Sequence, residues 1–410
     1  MRIIGIKFGF LFIAFISSFL CKAQGIGHTN INFKDPIRTA GFSISGAYYS
    51  ESGTGRNIGC EIYYPAATTG DNVAASAGTF PVLIFGHGFA MTWDAYQNLW
   101  QNLVPQGYIM VFPRTEGSLI PAPNHVDFGK DLRLLVSKMQ TESNRSGSIL
   151  FQKISGTFAL MGHSMGGGAS IIGGTNNTSI STIVNFAAAK TNPTGSSTTN
   201  AGLISVPVLY MSGQNDGVAP AIQHQDSMYF NTVSTKAQIY IKGGGHCYFA
   251  NSNFNCDFGE STSSPQPTIT RAQQQDVNQD LIVLWLNYYL KNDNASLQAF
   301  KDSLCRSARI TYRTTLPGFN CNVTGIEQLS AQTKLNIFPN PAGNILNFEL
   351  PNQINDARLF IYNQLGEEVL SINKINGKNI NISQLAEGHY FVKIFSGNTY
   401  MTGSFVKIND

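Results

Sequence analysis

Thr157-Phe158-Ala159-Leu160-Met161-Gly162-His163-Ser164-Met165-Gly166-Gly167-Gly168-Ala169 is the stretch that decides the fold. An apolar run comes first, then Gly-x-Ser-x-Gly, then small residues compatible with a helix. The reading is a buried strand, a sharp turn and a helix start. A serine at the apex of such a turn projects its hydroxyl above the sheet edge. Strand and helix then pass so closely that side chains at the flanking positions collide, which calls for glycine at 162 and 166. The helix start behind the serine adds free backbone N–H groups and a partial positive charge.

Working outward, Pro81 to Phe89 is an apolar strand running into the turn Gly86-His87-Gly88-Phe89, and Tyr108 to Phe112 is a second strand. His125 to Thr141 carries Val126, Leu132, Leu135, Val136 and Met139 at helical spacing. Beyond the serine, strands are expected at Ile180 to Ala187, Val206 to Met211 and Ala237 to Ile241, and a helix at Asp276 to Leu290. Upstream, Gly41 to Tyr49 and Gly59 to Tyr64 read as strands, and Gly70 to Gly78 as a loop. Strands alternating with helices imply an α/β class, with a mostly parallel sheet covered on both faces. After Cys321 the pattern changes. Residues 323–333 read as a linker, and 334–410 as a small all-β sandwich of alternating strands. Residues 1–23 have a positive start (Arg2, Lys7) and an apolar stretch from Phe8 to Leu20, as in a signal peptide, which leaves 24–322 as the main domain.

The 410 residues carry a net charge of +3 with no basic run, so no nucleic-acid partner is expected. Only 12% of residues are charged, which suits a secreted protein. An oxidising compartment permits disulfides. Cys247 and Cys256 flank one loop, Cys305 and Cys321 lie near the end of the main domain, and Cys60 sits in an apolar strand as a buried thiol. The residues alone leave connectivity open.

In α/β-hydrolases an acid and then a histidine follow the nucleophile in chain order. Asp216 follows the strand Val206 to Met211, and His246 follows the next strand and the run Gly243-Gly244-Gly245, both at the sheet edge where such sites lie. Ser164, Asp216 and His246 are therefore the candidate catalytic set, with Ser164 as nucleophile, His246 as base and Asp216 as its orienting partner. Asp226 and Asp257 are rival acids. His224 reads as solvated, His389 lies in the C-terminal domain, and His87 and His163 read as structural. The backbone N–H groups of Met165 and Phe89 are the candidate oxyanion donors. No metal-ligand spacing such as His-Glu-x-x-His occurs, and no metal or cofactor is expected.

Gly162-His163-Ser164-Met165-Gly166-Gly167-Gly168, Gly86-His87-Gly88-Phe89, Asp216-Gly217-Val218-Ala219-Pro220 and His246 after its glycines make residues 36–321 resemble the cutinase-like bacterial polyester hydrolases, which include enzymes acting on poly(ethylene terephthalate). The resemblance implies a secreted serine ester hydrolase of polyesters, with Phe89 and Met165 lining the acyl pocket. Cys305 and Cys321 match that family's C-terminal disulfide, and Cys247–Cys256 is expected as a local pair. One departure is clear. Many members carry Trp-His after the strand behind the serine turn, where this chain has Phe186-Ala187-Ala188-Ala189-Lys190. An aromatic platform is missing there, which favours aliphatic over aromatic polyesters. The short segments 113–124 and 190–205 leave no room for a lid, so an open groove is expected.

In the C-terminal part, Ile337-Phe338-Pro339-Asn340-Pro341, Ile361-Tyr362-Asn363-Gln364-Leu365-Gly366 and Gly388-His389-Tyr390-Phe391-Val392 resemble the sorting domain of type IX secretion. This implies the secretion machinery as partner and a secreted or cell-surface location. A monomer is expected. The alternatives are a lipase or short-chain esterase and, from another class, a non-catalytic surface binding protein on a hydrolase fold.

Overall fold

The computed structural model describes residues 25–38, 55–120, 122–191, 196–321, 333–350, 357–364, 367–372, 374–375, 377–396 and 399–409. The signal segment, the strand expected at Gly41 to Tyr49 and nearly all of the linker lie outside them. The chain divides into two compact units, Met1–Asn320 and Cys321–Asp410.

The first unit is built on a ten-stranded sheet. Its middle is the parallel run β5 (Ile109–Pro113), β4 (Phe80–Gly86), β6 (Ile154–His163), β7 (Thr182–Phe186), β8 (Val208–Gly213) and β9 (Lys236–Ile241). Antiparallel strands extend both edges. β10 (Ile310–Thr314) joins β9, and β2 (Arg56–Ala66) joins β5 and leads on to β1 (Gly25–Asp35) and the two-residue β3 (Gly70–Asp71). The expected loop 70–78 thus begins with a short edge strand.

The two-residue period of a strand sends alternate side chains to opposite faces, and here both faces are buried, so the strands read as continuous apolar runs. Phe158 and Leu160 of β6 join a core with Phe128, Leu132, Leu135 and Met139 of α2 (His125–Asn144) and with Ile171 of α3 (Met165–Gly174). Ala159 and Met161 face the opposite core, with Leu99 of α1 (Gln97–Leu103), with Val277, Leu281, Trp285 and Leu286 of α7 (Arg271–Lys291), and with Phe300 and Leu304 of α8 (Asn294–Arg306). Three shorter helices, α4 (Ser196–Ala201), α5 (Gln225–Asn231) and α6 (Phe254–Ser261), follow β7, β8 and β9. This is the doubly covered, mostly parallel α/β sheet expected from the sequence.

Cys247 and Cys256 form a disulfide, and Cys305 and Cys321 are each disulfide-bonded. Cys60 is a buried free thiol; burial first, then the nearby Asp131 and Glu61 carboxylates, push its pKa well up, so it stays protonated and inert.

The second unit has a five-stranded sheet in the order β11 (Thr333–Lys334), β18 (Thr399–Lys407), β17 (Gly388–Ser396), β14 (Arg358–Tyr362), β15 (Glu368–Ile372). A three-stranded sheet comprises β12 (Asn336–Phe338), β13 (Ile345–Glu349) and β16 (Asn379–Asn381). Leu346, Phe348 and Ile380 of the small sheet share one core with Leu359, Ile361, Val392, Ile394 and Phe405 of the large one.

Candidate active site

The turn between β6 and α3 is set by close backbone approach. A Cβ at Gly162 would fall 2.3 Å from the carbonyl of Gly166, and one at Gly166 would fall 2.0 Å from the carbonyl oxygen of Gly86. Both are below any real contact, so only glycine lets strand, turn and helix pass. Between them Ser164 holds φ 54° and ψ −117°, a conformation that non-glycine residues rarely adopt. It is retained because the surroundings fix it. The Ser164 N–H donates to the Phe186 carbonyl at 2.9 Å, and the N–H groups of Gly168 and Ala189 donate to the Ser164 carbonyl at 3.1 and 2.9 Å.

Two later strand ends bring the partners in. Nε2 of His246 lies 2.9 Å from the Ser164 Oγ, and Nδ1 of His246 lies 2.8 Å from Oδ2 of Asp216. The other Asp216 oxygen accepts the N–H groups of Val218 and Ala219 at 3.0 and 2.7 Å, which fixes the carboxylate. Asp216 and His246 are each 2% exposed, whereas Ser164 is partly open to solvent. Burial pushes the His246 pKa down. The charge and hydrogen bond of Asp216, with Glu260 adding, outweigh this and hold it above the ordinary histidine value. With Nδ1–H donating to the carboxylate, Nε2 is free to accept the serine proton.

The rival acids are engaged elsewhere. Asp226 accepts from Gln238 and Tyr240 and pairs with Arg313; Asp257 pairs with Arg271. The reading of His224 as solvated is corrected, because the ring is half-buried and accepts the Lys190 N–H at 3.0 Å. His87 is buried, with its ring nitrogens 2.9 and 3.0 Å from the carbonyls of Gly88 and Thr115. His163 is buried, and burial first, then the neighbouring His246, push its pKa well down. Neutral, it donates Nε2–H to the His246 carbonyl at 3.0 Å and accepts the Tyr96 hydroxyl on Nδ1 at 3.0 Å; that hydroxyl in turn accepts the Gly88 N–H at 2.8 Å. One buried relay therefore ties the turn before Phe89, the serine turn and the histidine loop together.

Met165 is the first residue of α3, so its N–H has no acceptor within the helix. Its side chain is buried. Phe89 is 45% exposed at the opposite turn, and the Gly166 N–H donates to the His87 carbonyl at 3.1 Å, bracing that turn against the helix. In the stretch Phe186–Lys190, where the resemblance expects Trp-His, Phe186 is the aromatic residue, and it is fully buried and stacks on Phe249.

Several residues that position His246 were not expected from the sequence. The Gln274 side chain accepts the Gly245 N–H at 2.8 Å and donates to the Gly245 carbonyl at 2.9 Å. Glu260 accepts the Cys247 N–H at 2.5 Å. Burial pushes the Glu260 pKa up, while the N–H groups of Cys247 and His246 pull against it. Arg271 donates to the carbonyls of Cys247 and Ala250. Among the described residues no cluster of potential metal ligands occurs.

The family model described as PET hydrolase-like matches residues 34–264, a span that holds Ser164, Asp216 and His246 together with Phe89, Met165 and Glu260. The chain belongs to the PET hydrolase-like family. A curated relative, the bis(hydroxyethyl) terephthalate hydrolase of Streptomyces coelicolor, is 23% identical over 222 residues, 54% of this chain. The chain spans 64% of that relative's length. Residues 336–408 match the secretion system C-terminal sorting domain, here of the type IX system, so this member of the PET hydrolase-like family is a secreted or cell-surface protein.

Proposed function

We propose that the first unit is a serine hydrolase of carboxylic esters that cleaves polyester chains. The observation that carries the reading is the continuous hydrogen-bonded line from Asp216 through His246 to a serine held at φ 54° on a strand-to-helix turn. Family membership and the terephthalate-ester activity named for the Streptomyces relative support esters as the substrate class.

In this mechanism the Ser164 Oγ attacks the ester carbonyl carbon while His246 Nε2 takes its proton, and Asp216 stabilises the imidazolium that forms. The oxygen of the tetrahedral intermediate takes hydrogen bonds from the N–H groups of Met165 and Phe89. Collapse breaks the C–O bond to the alcohol, which leaves with the proton from His246. Water, deprotonated by His246, then releases the acid and restores Ser164. Between Ala189 and β8 the described chain forms only the six-residue α4, which favours an open groove able to take one segment of a long polymer.

The test is hydrolysis of short soluble esters, bis(hydroxyethyl) terephthalate, and aliphatic and aromatic polyester suspensions by the wild type and Ser164→Ala. The substitution is expected to lower kcat by about 10⁴-fold or more on every ester cleaved, with the fold unchanged. Retained activity in a folded variant contradicts the nucleophile assignment. Activity confined to short soluble esters contradicts the polyester reading.

A further inference from the structure

The stretch Phe186–Lys190 presents no exposed aromatic ring, yet two exposed rings stand on α6, the helix crosslinked to the residue after His246. Helix α6 presents Phe254 and Phe258, 83% and 62% exposed, one helical turn apart with their rings stacked at 6.3 Å. We propose that these two phenylalanines form a surface anchor that adsorbs the enzyme to a solid, uncharged polyester face next to Ser164. The inference deepens the proposed function and rests on it for the identity of the surface.

Three observations support it. First, the helix is fixed and the rings cannot fold inward. Its N-cap Asn253 accepts the Cys256 N–H, Cys256 is crosslinked to Cys247 next to His246, and Glu260 on the same inner side holds the Cys247 N–H. Second, the patch continues into the candidate site on both sides. Asn255 donates to the carbonyl of Ala90 at 2.7 Å, next to the exposed Phe89, and a Cβ at Gly259 would lie 4.0 Å from Val218, which is 39% exposed and whose N–H is bound by Asp216. Exposed apolar area of this kind, rimmed by Asn and Ser, marks a binding surface. Third, its charge suits a neutral partner. From 243 to 290 the only Lys or Arg is Arg271, and its guanidinium is committed to Asp257 and to the carbonyls of Cys247 and Ala250. The segment thus has no free cation for anionic lipid head groups, whereas flat aromatic rings suit an uncharged polymer face.

The experiment uses the full chain and the double variant Phe254→Ser/Phe258→Ser, with adsorption isotherms on amorphous poly(ethylene terephthalate) film. Hydrolysis of p-nitrophenyl acetate in solution, binding to neutral and anionic phospholipid vesicles, and sedimentation are measured alongside. Film adsorption is expected to weaken by about tenfold or more, with film hydrolysis falling in step. Soluble-ester kcat/KM is expected to hold within about twofold, because that reaction needs no surface. The Phe254→Trp/Phe258→Trp variant is expected to keep or strengthen adsorption, and its loss of film binding in a folded protein overturns the proposal. Unchanged adsorption by Phe254→Ser/Phe258→Ser also overturns it, as does a loss confined to vesicle binding or to self-association. Absence of soluble-ester hydrolysis in the wild type contradicts the proposed function, while the film isotherms still decide the anchor.

Discussion

In the proposed mechanism, His246 is where the chemistry meets pH. To act as base it must be neutral, and Asp216 holds its pKa above the ordinary histidine value despite burial. A raised pKa means that the protonated, inactive form persists to higher pH. The kcat/KM profile on a soluble ester is therefore expected to fall with decreasing pH through a midpoint above about 6.5. A midpoint well below 6.5 contradicts the Asp216 pairing. At this scale the sequence was legible where chemistry is written locally: Gly162, Ser164 and Gly166 within one turn, and Asp216 and His246 each just past an apolar strand. Glu260, Gln274, Arg271 and Tyr96 carried no such signal. Glu260, Gln274 and Arg271 act on backbone groups 13, 29 and 24 residues away, and Tyr96 reaches the His163 ring 67 residues away, so nothing in the residues beside them announces it.

The elements that position the site were read from apolar runs and periodicity, with the ends less well than the middles. Helix α7 starts at Arg271 rather than at Asp276 because Thr270 and Gln273 form a capping box ahead of its apolar stripe. The strand β1 and helix α8 were not anticipated. β1 lies next to the sheet edge, flanked outside only by the two-residue β3, and its Ile26, Ile31 and Phe33 are interrupted by polar residues, while α8 packs only Phe300 and Leu304 deeply among polar neighbours. Helix α6 was likewise not anticipated, since its eight residues include one glycine and bury only Glu260. Its attachment gives a prediction. Cys247→Ser/Cys256→Ser is expected to cost about 2–3 kcal/mol of unfolding free energy in denaturant titration, from the short loop that the bond closes. It is also expected to lower kcat by loosening the segment after His246. Unchanged stability and unchanged kcat contradict a structural role for this crosslink.

At the scale of the whole molecule, the candidate site and its supporting residues all lie before Asn320, and the sorting unit has its own core. A chain ending at Cys321 is therefore expected to keep its purified activity on soluble esters and to remain inside the producing cell. Loss of activity on truncation, measured at equal folded concentration, contradicts independence of the two units. The change of side-chain periodicity from mixed to purely alternating comes after Cys321, the first residue of the second unit.

Covalent trapping asks whether Ser164 is the nucleophile that His246 activates. The full chain is incubated with a p-nitrophenyl alkylphosphonate, which transfers its phosphonyl group to an activated serine with release of p-nitrophenol, and the adduct is mapped by peptide mass spectrometry. One adduct per chain is expected, on Ser164, formed in step with loss of esterase activity and absent in a folded His246→Ala variant. Esterase activity that persists with Ser164 fully labelled, or an inactivating adduct on another residue, contradicts the nucleophile assignment.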